Sequence, residues 1–138
     1  MDERKPKVIH SKDALSIEPP GGAYGKRMIS SSVSEKMGMG ILYVDRGKSP
    51  HRWHTHNKPD RSGSYEIHYP EGFEETYLVV QGEGVIQWKE KEEVYEEEVR
   101  TGDAVWFPAG VGEHQLLNNS DRPMIVVYCF TPSVGTKK

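Results

Sequence analysis

Turn-forming residues interrupt this chain at intervals too short for long helices. Fourteen glycines and nine prolines are spread over 138 residues, and short apolar runs lie between them. Runs of about four to eight residues bounded by glycine, proline or asparagine are typical of β-strands. The sequence therefore predicts an all-β sandwich or barrel, and no long amphipathic helical pattern competes with that prediction.

Eight of the apolar runs have the composition of strands. They cover residues 26–33, 39–44, 76–81, 85–88, 94–100, 104–107, 114–117 and 124–130. The last is the most apolar run in the chain and is expected at the centre of a sheet. The acidic run 94–100 fits an edge strand, because charges on an edge oppose aggregation. Residues 1–13 are polar and are interpreted as an N-terminal arm.

Length, charge and cysteine content limit the class of protein. A chain of 138 residues with a formal charge of −3 is one ordinary domain, without the basic surface that nucleic-acid binding needs. The single cysteine, Cys129, excludes an internal disulfide, and its apolar strand predicts a buried, inert thiol. No signal-peptide core and no apolar run of about 20 residues is present, so we expect a cytoplasmic protein without a membrane partner.

Two histidines, His54 and His56, stand one residue apart. On a strand, residues i and i+2 point to the same face, so both imidazoles would enter one pocket. Neutral imidazole is a ligand for zinc, copper, iron and nickel. Farther along, Glu75 and His114 begin predicted strands next to turns. Three histidines and one carboxylate therefore form a candidate set of metal ligands.

The spacing of these residues resembles the two motifs of the cupin superfamily. The first motif reads Gly47, six residues, His54-x-His56, and then Glu75, six residues, Gly82. The second motif reads Gly102, five residues, Pro108-x-Gly110, three residues, His114, three residues, Asn118. Together the motifs span residues 47–118, in the order that the family has them.

The chain departs from the family's spacing in one large and two small ways. Eighteen residues separate His56 from Glu75, where the family has far fewer. One extra residue precedes His54 and one precedes His114. Either residues 57–72 form a loop inserted between two ligands, or Glu75 is not a ligand. The loop composition of 57–72 and the preserved spacing after Glu75 favour the insertion.

The resemblance implies a single cupin domain over residues 1–138, a jelly-roll β-barrel of two antiparallel sheets. It also implies one divalent metal inside the barrel. The implied ligands are His54, His56, Glu75 and His114, and Asn118 occupies the last motif position without being a ligand. Iron, manganese or nickel would suit a six-coordinate site with open positions, and zinc a closed tetrahedral one.

Strand alternation places further residues beside the implied metal. Tyr77 shares the face of Glu75, and Leu116 and Asn118 share the face of His114. Tyr77 is therefore either a polar pocket residue or a packed core tyrosine. The two interpretations have equal support from the sequence.

Other aromatic and histidine residues have less certain roles. Trp106 and Phe107 face opposite sides of a strand, so one packs inside the barrel and the other is available to a partner subunit. His51 has the parity opposite to His54, which predicts an exposed histidine. His68 lies in the 57–72 segment, which is either an ordinary surface loop or a lid that brings His68 to the pocket as an acid or base.

Two functions are compatible with these features. The first is a metalloenzyme of dioxygenase, decarboxylase, isomerase or lyase type, acting on a small oxygenated or acidic metabolite. Tyr77 and His68 are then the candidates for moving protons. The alternative is a non-catalytic module that binds a small molecule or a metal. By analogy with other small cupins we expect a homodimer, joined through an apolar sheet edge near residues 28–33 or 39–44.

Overall fold

A computed structural model describes residues 5–51, 53, 73–109 and 111–131, and folds them into two antiparallel β-sheets. The described strands are β1 (Leu15–Ile17), β2 (Tyr24–Ile29), β3 (Gly38–Val44), β4 (Glu74–Gln81), β5 (Glu83–Glu90), β6 (Glu93–Arg100), β7 (Ala104–Phe107), β8 (His114–Leu117) and β9 (Met124–Thr131). A short 3₁₀ helix, Ser11–Asp13, precedes β1. The larger sheet has the order β1-β2-β3-β9-β4-β7, and the smaller one β6-β5-β8.

The predicted fold class is confirmed, since the described residues form two packed antiparallel sheets. Strands β7 and β8 have the bounds expected from the sequence. Strand β9 lies between β3 and β4, as expected for the most apolar run, and β6 lies at an edge of the smaller sheet.

The hydrophobic core lies between the inner faces of the two sheets. Every second residue of β9 is buried there, and so is every second residue of β3. Leu42, Val126 and Val79 lie side by side on β3, β9 and β4, and each is at least 95% buried. We call these three residues the core row. Facing residues such as Leu116 on β8 close the core from the smaller sheet.

Two glycines of the motifs form turns that join the sheets at one end. Gly82 lies between β4 and β5 with φ +97°, and Gly102 follows β6 with φ +94°. Both angles belong to the left-handed region, which glycine adopts without steric cost. The Thr101 hydroxyl donates to the Gly82 carbonyl, and the Gly102 N–H donates to Val79, which holds the two turns together.

Two expectations about the strands are wrong. Strand β3 lies between β2 and β9, and β2 between β1 and β3, so neither 28–33 nor 39–44 provides a sheet edge. Pro50, His51 and Trp53 lie outside the strands, so strand parity does not apply to His51, which is half-buried.

None of the described residues belongs to a helix with the length and apolarity needed to cross a membrane.

Candidate metal centre

His114 is the best-defined member of the predicted ligand set. It begins β8 with 1% of its surface exposed, and its ring stacks on Phe107 with centroids 4.4 Å apart. Its Nδ1 lies 2.9 Å from the Gly112 carbonyl oxygen. Because a carbonyl only accepts, Nδ1 carries the proton, and the lone pair of the neutral ring belongs to Nε2. This backbone contact is the one that orients metal-binding histidines in many proteins.

Glu75 enters the same region of the interior from the larger sheet. It lies half-buried on β4, with Phe107 on β7 and Phe130 on β9 as its cross-strand partners. Phe107 is therefore a direct neighbour of both Glu75 and His114. The carboxylate and the oriented imidazole thus share one aromatic neighbour, although they come from different sheets.

Tyr77 lies inside the barrel, as the alternation from Glu75 predicted. It is 97% buried, and its ring meets Phe107 edge-on with centroids 4.9 Å apart. Tyr77 belongs to the hydrophobic core, and it also lies two residues along β4 from Glu75, on the same face of the strand. Both interpretations of Tyr77 are therefore compatible with its position.

Asn118 has a structural role that suits a residue outside the ligand set. Its side-chain amide donates to the carbonyls of Val44 and Arg122, at 2.8 and 2.7 Å. Its side-chain oxygen accepts from the Ser120 backbone and hydroxyl, at 3.0 and 2.7 Å. A fully buried amide with these partners fixes the turn after β8, which sets the direction of the strand that carries His114.

Three candidate histidines lie outside the described residues. These are His54, His56 and His68, together with the predicted loop at 57–72. Among residues 5–51, 53, 73–109 and 111–131, no three His, Cys, Asp or Glu side chains assemble into a metal site. The described half of the ligand set is Glu75 and His114, and the other half stays a prediction.

Two residues near the candidate centre were not identified from the sequence, Arg27 and Tyr128. Both lie on the inner face of the larger sheet, where Arg27 Nε donates to the Tyr128 hydroxyl at 3.3 Å. The Tyr128 pKa is raised from 10.0 by burial first, and also by the charge of Glu75, while Arg27 opposes the shift. The overlooked signal is the Gly38-x-Gly40 pattern on β3, which leaves room for large side chains from neighbouring strands.

The remaining aromatic and thiol predictions have mixed outcomes. Phe107 is buried and Trp106 is 62% exposed, which confirms that the pair faces opposite sides. Cys129 is half-buried on the outer face, so the prediction of a fully buried thiol is wrong. Alternation explains the difference, because the neighbours Tyr128 and Phe130 take the inward positions of β9.

A comparison with protein families now assigns the class of protein. A model described as a cupin domain matches residues 53–130, more than half of the chain. The two-sheet fold and the two motifs agree with that match. The chain belongs to the cupin family. No curated protein matches the sequence.

Solved structures with the same fold have different activities. The polyketide cyclase RemF from Streptomyces resistomycificus is 15% identical, with a TM-score of 0.65, and the match covers 97% of this chain and 87% of that one. Ectoine synthase from P. lautus is 15% identical, with a TM-score of 0.64 and coverage of 92% and 78%. A cupin sugar phosphate isomerase from Silicibacter pomeroyi is 18% identical, with a TM-score of 0.63 and coverage of 91% and 75%. At these identities the likeness shows the fold alone.

Proposed function

We propose that this cupin is a cytoplasmic metalloenzyme acting on a small oxygenated or acidic metabolite. In this proposal His54, His56, Glu75 and His114 hold one divalent metal, either iron, manganese, nickel or zinc. The observation that carries the proposal is the buried His114, which begins β8 and whose Nδ1 lies 2.9 Å from the Gly112 carbonyl oxygen, so that Nε2 is the nitrogen that would bind a metal. The lone cysteine also fits a reducing compartment.

The metal would act as a Lewis acid toward a substrate oxygen when bound. The chain's own residues would orient the substrate and exclude water. Tyr77, on the Glu75 face, is the described candidate for holding or moving a proton. His68 is a second candidate, on the basis of the sequence alone. The aromatic rings of Phe107 and Phe130 beside Glu75 would keep the surroundings apolar.

A non-catalytic binding module is the second candidate. It is favoured by the aromatic surroundings of Glu75 and His114, which in the described part of the chain include Phe107, Phe130 and Tyr77. Such a module would bind metal and a small molecule without turnover. A thermal-shift screen of carboxylates and sugar acids, followed by product analysis for each ligand found, separates the two functions, since ligands of the folded state raise its stability.

The metal site is tested by elemental analysis of protein purified without added metal. We expect about one metal per wild-type chain, and at least a tenfold lower content after His56→Ala, His114→Ala or Glu75→Ala. The matched control is His10→Ala, which changes an exposed histidine outside the set. Metal content that survives both His114→Ala and His56→Ala contradicts the site. If Glu75→Ala alone retains its metal, Glu75 is not a ligand, and the three histidines remain as the proposed set.

We also propose a homodimer, formed through the outer face of the larger sheet. Ile41, Val127, Leu78 and Ala104 are successive cross-strand partners on β3, β9, β4 and β7. We call these four residues the outer stripe. Trp106, at 62% exposure, lies beside it. Six strands spaced by about 4.8 Å are about 29 Å wide, and strands that average six residues are about 20 Å long, so the face measures roughly 600 Å². This area approaches the ~800 Å² that each partner buries in an ordinary interface.

A further inference from the structure

The side chain of Lys89, on β5, contacts residues that directly precede two of the proposed metal ligands. Trp53 stands one position before His54 in the first motif. Glu113 stands one position before His114 in the second motif. The Lys89 ammonium lies 4.6 Å from the centroid of the Trp53 ring and 3.0 Å from Glu113 Oε2. One side chain therefore joins the two parts of the chain that carry the motifs.

The backbone of Lys89 contacts the second motif as well. Its N–H donates to the Glu113 carbonyl at 3.0 Å, and its own carbonyl oxygen faces Gly112, where a methyl group would approach to 3.2 Å. The Gly112 carbonyl oxygen is the atom that lies 2.9 Å from His114 Nδ1. Trp88, the residue before Lys89, pairs with His114 across β5 and β8. Lys89 therefore makes its contacts at the point where β8 begins and where the His114 ring is oriented.

Lys89 and Glu113 lie on the outside of the barrel. Trp88 packs against the core and His114 is buried, so the next residue in each chain segment points the other way. The side chains of Lys89 and Glu113 are accordingly 44% and 52% exposed. Exposed ion pairs contribute little to the free energy of unfolding, so the contacts of Lys89 matter more for position than for stability.

We propose that Lys89 is a positioning residue of the metal centre, which holds Trp53 against the start of β8. The inference rests on the proposed metal site, because His54 and His114 each follow a residue that Lys89 contacts. His54 itself lies outside the described residues, and the covalent chain keeps its Cα about 3.8 Å from that of Trp53. A contact that fixes Trp53 therefore limits the distance between the two ligand-bearing parts of the chain.

Both side-chain contacts of Lys89 depend on its positive charge. An ammonium is attracted to the face of an indole ring, and it also donates to a carboxylate. An arginine guanidinium can make the same two contacts, whereas a methionine side chain is similarly unbranched and apolar but has no charge. Lys89→Arg and Lys89→Met are therefore a matched pair of variants.

Competition between metal-free protein and a chelating dye for Co²⁺ measures the effect on metal affinity. We expect Lys89→Met to weaken Co²⁺ binding about threefold, because a cation–π contact at an exposed site corresponds to a roughly two- to fivefold change in affinity. Lys89→Arg should bind Co²⁺ like the wild type. The control is Lys12→Met, which removes an exposed lysine of the 3₁₀ helix and should have no effect.

A double-mutant cycle tests whether Lys89 acts through Trp53. Trp53→Leu should also weaken Co²⁺ binding about threefold, and adding Lys89→Met should weaken it little further. Urea unfolding should show similar stability for all of these variants, since the altered contacts are exposed. Additive losses of Co²⁺ affinity overturn the inference, and so does equal affinity of the wild type and Lys89→Met.

Fluorine NMR of metal-free protein labelled with 5-fluorotryptophan gives a readout that does not need the metal. The three tryptophans give three resonances, and Trp53→Leu identifies the one from Trp53. Lys89→Met should move that resonance and leave the one from Trp106, on the other sheet, in place. If the wild type binds no Co²⁺, the proposed function fails, and the Trp53 resonance still decides whether Lys89 joins the two segments. An unmoved Trp53 resonance in Lys89→Met overturns the inference.

Discussion

At the scale of single residues, Asn118 ties three backbone segments together. Its amide joins the end of β3, at Val44, to the turn at Arg122, and its backbone N–H donates to Lys48. Because Asn118 is fully buried, no water replaces these partners when the side chain is removed. The residue therefore contributes to stability and to the placement of β8.

We expect Asn118→Ala to lower the free energy of unfolding by about 2–4 kcal/mol, because it removes the buried donor to the Val44 carbonyl and one of the two donors to the Arg122 carbonyl. Urea unfolding measures the change. Asn119→Ala is the control, since the neighbouring side chain is exposed, and it should change stability by less than about 0.5 kcal/mol. Equal effects of the two substitutions would show that the Asn118 contacts contribute little.

Cys129 provides a chemical probe of its surroundings, because it is the only cysteine in the chain. Burial raises its pKa above 9.0, and the negative charge of Glu75 raises it further. The folded state therefore favours the thiol. The stability associated with this shift is complete below pH 9 and is lost as the pH rises through the folded-state pKa.

The rate of alkylation by iodoacetamide, measured against pH, reports this pKa, since the thiolate is the nucleophile. We expect a midpoint above 9 in the folded protein, a return toward the ordinary value in urea, and a lower midpoint in Glu75→Gln. A folded-state midpoint at or below 9 would be contrary to the described environment.

At the scale of the elements, the glycines of β3 determine how the strands β3 and β9 fit. The three atoms nearest to a methyl group at Gly38 all belong to the Phe130 ring, whereas at Gly40 they belong to Tyr128 and to the Lys26 backbone oxygen. A substitution can replace the Phe130 ring by a smaller side chain, but no substitution removes the backbone oxygen of Lys26 on the neighbouring strand. The two glycines therefore respond differently to compensating changes.

We expect Gly38→Ala and Gly40→Ala each to destabilise the protein by about 1–3 kcal/mol through overpacking. Adding Phe130→Leu should recover much of the loss at Gly38, while Tyr128→Phe should recover little at Gly40. Double-mutant cycles from urea unfolding measure the two coupling energies. Strict additivity at Gly38 would show that its side-chain position is not filled by the Phe130 ring.

The elements also show which parts of the fold the sequence can specify. Strands β7 and β8 were predicted at their exact bounds, because each is a short alternating run between turns. The predicted strand 26–33 is less accurate, since β2 ends at Ile29 and its pairing register shifts after Arg27. That irregularity breaks the period of two, so the inward position of Arg27 was not evident from the pattern.

Part of the candidate site was also predictable from the sequence. The motif spacing and strand parity identified Glu75, Tyr77 and His114 on inward positions, because these depend on local alternation. The order of strands in a sheet depends on contacts between residues far apart in sequence, and no local pattern encodes it. The juxtaposition of Arg27 with Tyr128, across 101 positions of the chain, became evident only from the fold.

At the scale of the whole molecule, the outer stripe is the surface on which the homodimer is tested. Light scattering after size exclusion should give a mass near twice the 15.7 kDa of one chain. Leu78→Lys with Trp106→Glu should give the mass of a single chain, because two charges then lie on an apolar contact. Val94→Glu is the control, since Val94 is exposed on β6 of the other sheet. A single-chain mass for the wild type at micromolar concentration would contradict the dimer.

The core row and the rings of Tyr128 and Phe130 share strands β3 and β9, yet they occupy different register positions. Leu42 and Val126 lie two residues away from Gly40 and Tyr128, which is a step of about 7 Å along a strand. Aliphatic and aromatic rows thus follow one another along the same two strands, and all of these side chains belong to one hydrophobic core. A change of side-chain size in one row is therefore transmitted to the packing of the next, so that variation inside the barrel is constrained by neighbouring rows.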